Sequence, residues 1–431
     1  MKGSLLILLF CFCFIGVSFA AADSAATVQK TDTAIKKFNY EAATQAYMDS
    51  IPQKDKAKSD AYFEGGYWLI LWNLIYGIAV VVIFYFTGIA VWLKKLVTRI
   101  SKNSNIQNFL YVAIYALISY VLSFPLGVYV GYFREHQYNL SNLSFVQWLR
   151  EEMISLGLAV VFGSLVIMVF YIFIRRTGQN WWKWCTGIAL IFLIIGALVA
   201  PVFISPLFNK YQPLADTKVK EGILSMARAN NVPATNVYQF DASKQSDRIS
   251  ANVSGFAGTT RVSLNDNLLK QCTPQEIQAV MGHELGHYVL NHIYKMVAMF
   301  LIIIFIGFAF VNWALNKVLA RGTFRSMIVD LKDIAGYPLL MLIFSVFMFF
   351  ATPVFNTIIR TQEIEADMFG LNTARQPDAF ARVAIKLSTY RKMNPGYWEE
   401  IFFFDHPSGH NRILEAMRWK AEHLNEGVGK Q

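Results

Sequence analysis

Apolar side chains in this chain are gathered into blocks, with polar residues collected between them. Six blocks reach or approach the roughly 20 apolar residues that cross a bilayer as a helix: Tyr67 to Leu93, Phe109 to Phe133, Met153 to Ile174, Trp184 to Ile204, Met296 to Leu315 and Tyr337 to Val354. Trp and Tyr stand at their ends (Tyr67, Trp68, Trp92, Trp181, Trp182, Trp313, Tyr337), where a headgroup belt would hold them. A shorter block, Leu5 to Phe19, follows Met1-Lys2 and ends among Ser18, Ala20, Ala21 and Ala22. Residues 1–20 therefore read as a cleavable signal peptide in preference to a first membrane helix.

The blocks divide the chain into a polar segment (21–66) without readable chemistry, four spans (67–204), a polar stretch (205–295), two spans (296–354) and a second polar stretch (355–431). Two spans return the chain to the side it left, so the two polar stretches can build one domain. In the first, the spacing predicts a helix over Thr217 to Asn230 and strands at Asn236 to Phe240, Arg248 to Val253 and Arg261 to Leu264. Gly255 and Gly258 mark a turn. Thr273-Pro274-Gln275-Glu276 is a capping box with Pro at the first helical position, and no breaker follows before the span near Met296. The second stretch predicts helices at about Phe355 to Arg375, Asp378 to Arg391 and Asn411 to Leu424. Breakers Asn394-Pro395-Gly396 and His406-Pro407-Ser408-Gly409 lie between them. The expected fold class is an all-α polytopic membrane protein carrying a small α+β domain.

Composition agrees, with 55% apolar and 16% charged residues. The net charge of +10 is a matter of topology. Lys94, Lys95, Arg99 and Lys102 follow the first span, Arg175, Arg176 and Lys183 the third, and Lys317, Arg321, Arg325 and Lys332 the fifth, whereas Arg134 to Glu152 carries more acids than bases. Every second loop is basic, which marks the cytoplasmic side and puts both polar stretches on the extracytoplasmic face, periplasmic in a bacterium. The signal-like N-terminus gives the same orientation. No nucleic-acid partner is implied, and the near absence of ionisable residues in the spans argues against a transporter. Cys11, Cys13, Cys185 and Cys272 form neither a disulfide framework nor a thiolate metal site.

His283-Glu284-Leu285-Gly286-His287 falls inside the helix that Thr273 caps. Histidines four apart project from one face and can share a zinc ion, and Glu284 is placed to take a proton from water. Zinc with three protein ligands brings the pKa of bound water down to about 7, so the spacing points to hydrolysis. On an unbroken helix His292 would stand about 140° round from His287 and point elsewhere. Downstream, Glu363 and Asp367 are four apart on one face, so Glu363 can bind the metal while Asp367 hydrogen-bonds a ligand histidine. Taken alone, Glu363 reads rather as a solvated surface carboxylate. Glu365 faces away, and Arg360, one turn earlier, could pair with either acid.

Together these residues resemble the integral-membrane zinc metalloproteases of the type I CAAX prenyl protease family. The resemblance rests on Ile204 to Tyr211 with Pro213-Leu214, His283 to His287 with Asn291-His292, Asn356 with Arg360, Glu363, Ala366 and Asp367, and His406-Pro407 with Arg412-Ile413. It implies one zinc per chain on His283, His287 and Glu363, Glu284 as general base, and Asp367 in support. It also implies His406 with Arg412 as the pair facing a tetrahedral oxyanion, Asn252 holding substrate backbone beside an edge strand, and helices around a hydrophilic chamber. Ile359 and Val253 depart from the family's usual residues and bear on substrate preference. The implied partners are a polypeptide, lipidated if the prenyl-protein substrate carries over, and membrane lipid; nothing sets an oligomeric state. The family's eukaryotic members face this domain to the cytosol, opposite to the loop charges here. An external site favours turnover of damaged membrane or secreted proteins, and a client-holding chaperone would need no Glu284.

Overall fold

The computed structural model describes residues 38–426 apart from 216, 255–259, 323 and 325. The signal-peptide reading of residues 1–20, the Gly255 and Gly258 turn and Arg325 lie outside the described residues.

Helix α1 (Tyr40–Asp49), capped by Asn39, precedes α2 (Gln53–Phe86), whose first half is polar and second half apolar. From Tyr40 onward the segment read as polar is thus largely helical, and the helix that carries the first apolar block starts at Gln53. It also stops earlier than the apolar pattern, because Gly88 takes left-handed backbone (φ 76°) and starts α3 (Ile89–Ile100) on a new axis. Helix α3 is amphipathic, burying Ala90, Leu93 and Val97 while carrying Lys94, Lys95 and Arg99. Next come α4 (Ser104–Val128), α5 (Phe145–Thr177) and α6 (Trp181–Val199). Helix α5 ends at Gly178, also at positive φ, and packs beside α6 as a hairpin. Among the described residues, five helical stretches are long and apolar enough to cross a membrane, and that of Phe145–Phe208 contains both α5 and α6.

These helices surround an apolar core of Leu93, Tyr111, Tyr171, Trp181, Val311 and Tyr337. Their outer faces leave large apolar groups uncovered, Val121 at 69% and Phe350 at 73% exposed. On helices this apolar the uncovered groups face lipid.

The polar stretches fold together. Four short strands, β1 (Tyr211–Pro213), β2 (Val237–Phe240), β3 (Ala251–Ser254) and β4 (Arg261–Asn265), pair in the order β1-β2-β4-β3. β2 and β4 are parallel and the other pairs antiparallel, which leaves β3 at an edge among the described residues. Helix α7 (Lys218–Ala229), with Thr217 as its cap, and the short α8 (Asp266–Gln271) cover the sheet. Both halves of the capping box form at the start of α9 (Pro274–Val289), and Lys386 and Arg382 hold its buried Glu276.

Contrary to the unbroken helix expected, α9 ends at Leu290. Asn291 is left-handed (φ 58°), and α10 (His292–Ala320) departs as a separate helix. Helix α11 (Tyr337–Ala374) is continuous from the last span into the polar domain. α12 (Pro377–Leu387), α13 (Tyr397–Phe403) and α14 (Gly409–Glu422) complete the domain. α13 lies where only breakers were legible.

Helices α9 and α11 approach closely because small residues face one another. A Cβ on Gly370 would lie 2.8 Å from the His283 backbone nitrogen, one on Gly282 3.0 Å from the Gly370 carbonyl oxygen, and one on Gly286 3.1 Å from Ala366 Cα. Gly282 and Gly286 on α9, with Ala366, Gly370 and Ala374 on α11, are spaced by four and so form facing stripes. Polar contacts then fix the ends of the bundle. Lys94 pairs with Asp333 at 2.7 Å, and Gln179 bonds Asn316, gathering the three basic loops at one end. At the other, Glu135 pairs with Arg248 at 2.8 Å and Asn142 bonds Ser243 and Asp247, docking the acidic loop onto the polar domain.

Candidate metal centre

His283 and His287 leave α9 from one face, and Glu363 reaches them from α11. One ligand atom from each lies within 4.8 Å of the others. His283 Nε2 is 3.2 Å from Glu363 Oε2, His287 Nε2 is 3.4 Å from Oε1, and the two Nε2 atoms are 3.1 Å apart. His283 turns Nδ1 to Asp367 Oδ1 at 2.7 Å, so a ring bound to metal would keep its proton there and offer Nε2 as the lone pair. Glu363 Oε2 is buried and has no aligned hydrogen bond, the 3.2 Å approach being off-axis. Two ring nitrogens and a carboxylate oxygen crowded this closely call for positive charge among them, supplied without metal by a proton that Asp367 and Glu363 hold on His283 and otherwise by a metal ion. Two imidazoles and a carboxylate are a hydrolytic zinc set, and the donors fit that ion.

Glu284 lines the cavity beside these donors, a space of about 230 Å³ shared with Ser250, Ala251, Tyr390, Arg391, His406 and Arg412. Burial pushes its carboxyl up to about 7, with His283 and Arg412 opposing and Glu363 reinforcing. Burial also lowers His287, to about 4, helped by the neighbouring His283. A carboxyl poised near neutrality can accept and return a proton.

Asp367 accepts from Arg412 at Oδ2 (Nε, 2.9 Å) and Oδ1 (Nη2, 2.5 Å), besides its bond to His283. Arg412 is therefore engaged through two nitrogens, and Nη1 alone is without a hydrogen-bond partner among the described residues. His406 sits with Nε2 3.4 Å from Glu363 Oε2 and Nδ1 2.8 Å from Asp405. Arg360 pairs with neither acid. It donates to the carbonyls of Glu400 (2.8 Å) and Phe404 (2.5 Å), while Asn356 donates to Phe402 at 2.8 Å, so both clamp the segment that presents His406. Asn252 lies on strand β3, opposite Ser263, with a buried side-chain oxygen that has no hydrogen-bond partner among the described residues.

Several site residues were not legible. His292, expected to point away, lies with Nδ1 2.8 Å from His287 Nδ1, and Glu365 accepts from it at 3.0 Å. Arg391, whose guanidinium has no ion pair or hydrogen bond among the described residues, lines the cavity beside Tyr390. Nothing in its sequence context sets it apart from a surface arginine. The α9 and α11 stripes of small residues were visible as spacing and would have brought the two helices together.

A catalytic cavity of this kind, at the end of a bundle of membrane helices, defines a membrane-embedded zinc metalloprotease. Residues 213–420 match the family model described as peptidase family M48, and residues 35–210 match that described as the CAAX prenyl protease N-terminal region with five membrane helices. The chain belongs to peptidase family M48. A Bacillus subtilis protein described as the uncharacterized metalloprotease YhfN is 31% identical over 77% of this chain and 78% of its own. CAAX prenyl protease 1 of Saccharomyces cerevisiae is 25% identical over 71% of each. The crystal structure of S. mikatae Ste24p superposes with a TM-score of 0.71 at 22% identity, covering 90% of this chain and 97% of that one. The protein is thus an integral, multi-pass membrane protease that uses zinc and acts on polypeptide.

Proposed function

We propose that His283, His287 and Glu363 hold the zinc, that Glu284 is the general base, and that peptide bonds are hydrolysed on the extracytoplasmic face. The observation that carries this is the convergence of three donors from two helices within 4.8 Å, beside the half-buried carboxylate of Glu284 in one cavity. When bound, zinc supplies a Lewis acid that acidifies water and polarises a carbonyl. Glu284 takes a proton from the attacking water and delivers it to the leaving amine. His406, Arg391 and the free Nη1 edge of Arg412 line the space where negative charge develops, and donors fixed there stabilise it. The edge of β3, unpaired among the described residues, lets substrate add as a strand, with Asn252 available to bond its backbone.

The sidedness reading rests on the loops. Helix α10 starts at His292 beside the donors and runs 29 residues, about 44 Å at 1.5 Å per residue, to the end where the basic loops meet. Basic loops favour the cytoplasm, so the site faces outward. The substrate class printed in the relatives' names, a CAAX prenyl protein, is the first to test. Purified protein and its Glu284→Gln variant are given a farnesylated CAAX peptide and an unfolded secreted protein. Zinc-dependent cleavage that Glu284→Gln removes is expected. Cleavage of neither sinks the proposal, and cleavage of only the protein rejects the prenyl substrate.

A further inference from the structure

The break between α9 and α10 places a second imidazole behind the zinc site. The left-handed Asn291 swings His292 back over His287, ring centroids 5.0 Å apart and planes at 73°. His292 is 1% exposed, and both its nitrogens are engaged: Nδ1 lies 2.8 Å from His287 Nδ1 and Nε2 lies 3.0 Å from Glu365 Oε2. Lys295 Nζ, one turn along α10, is 2.7 Å from that same oxygen.

Proton positions along this row are dictated by its ends. If His287 offers Nε2 to zinc, its one ring proton is on Nδ1, pointing at His292. His292 Nδ1 must then be bare and its proton on Nε2, pointing at Glu365. A carboxylate ends the row as an acceptor, and Lys295 neutralises it. Every donor meets an acceptor in one arrangement only.

We propose that His292 is a positioning residue for zinc, the centre of a relay from Lys295 through Glu365 and His292 that fixes the tautomer and ring plane of His287. It touches neither metal nor substrate. On His283 the same task falls to Asp367 directly. Hydrogen bonds to a ligand's outer nitrogen orient the ring and raise its basicity. The relay uses the first residues of a membrane-crossing helix and a residue two positions from Glu363 on α11, so movement of α10 against α11 alters the second ligand without touching the first. The proposal rests on His287 being a ligand.

The test is zinc affinity by competition with a chromophoric chelator, with the visible spectrum of the cobalt-loaded protein and the melting temperature recorded alongside. Wild type, His287→Ala, His292→Leu, His292→Gln and Glu365→Gln are compared as full-length protein in detergent. His292→Leu is expected to weaken zinc binding about 10–100-fold and to shift the cobalt bands. His292→Gln should recover most of that loss, because its amide can accept from His287 and donate to Glu365 in the same direction. Zinc affinity within twofold of wild type in His292→Leu, with unshifted bands, overturns the proposal. So does a Gln variant as weak as Leu, which would mark His292 as core packing. If His292→Leu does not fold, Glu365→Gln decides: zinc bound several-fold more weakly with shifted cobalt bands supports the relay, and affinity within twofold of wild type with unshifted bands overturns it. Undiminished zinc binding by His287→Ala would instead reject the ligand assignment on which the relay depends.

Discussion

His283 and His287 stand one turn apart on α9, yet the regions behind them differ. Behind His283 is an inner arm that is nearly buried: Asp367 at 7% and Arg412 at 10% side-chain exposure, bonded to each other at two points. Behind His287 is an outer arm that begins at the buried His292 and ends at Glu365 and Lys295, 42% and 46% exposed. The inner arm places a full charge against its imidazole, whereas the outer one passes a neutral ring's hydrogen bond to a solvated ion pair. Buried charge pairs are costly to break and solvent-facing ones cheap. The first imidazole is thereby locked and the second left adjustable.

The largest expected effect separates chemistry from both arms. Glu284→Gln should lower kcat by about 10²–10⁴-fold with zinc content unchanged, since Glu284 is part of neither arm. Loss of zinc in that variant would show that the carboxylate holds the metal. His406→Ala should cost about 10²–10³-fold in kcat at constant zinc affinity if the ring meets the oxyanion; a change confined to KM would assign it to substrate binding.

Asp367→Asn compares the arms directly. It strands Arg412 in a buried site and should lower stability by about 3–5 kcal/mol, with zinc bound up to about 100-fold more weakly. Gly370→Ala tests the same arm through packing. Its methyl meets the His283 backbone, and about 1–3 kcal/mol of stability should be lost. Gly286→Ala, which presses on Ala366 and Phe369 beside the outer arm, should cost less. The smallest effect is expected from Glu365→Gln, a loss of zinc affinity of about tenfold or less. If chelator competition finds Glu365→Gln as damaging as Asp367→Asn, the distinction between the arms fails.

Much of this was legible in local pattern. The apolar blocks became helices, the Thr273 box closed as its spacing requires, and Glu363 and Asp367 share the α11 face that their separation of four predicts. The misses came where the chain changes direction. Gly88 ends the first span early and Asn291 splits a helix that propensity would have continued, both through left-handed backbone. Asparagine tolerates that conformation, but its presence alone does not announce it. Arg360 could not be separated from an ion-pairing role, because the carbonyls it holds belong to a helix 40 residues away.

By itself, then, the sequence determined what nearest neighbours along a helix settle: spans, caps, the two histidines on one face and the two acids on another. Short-range periodicity governs these, and it survives in any fold. Which acid meets which imidazole was decided by tertiary structure, through facing glycines that let α9 and α11 approach and one left-handed residue that turned His292 back. Those contacts depend on the angle and distance between helix axes, which no local spacing contains.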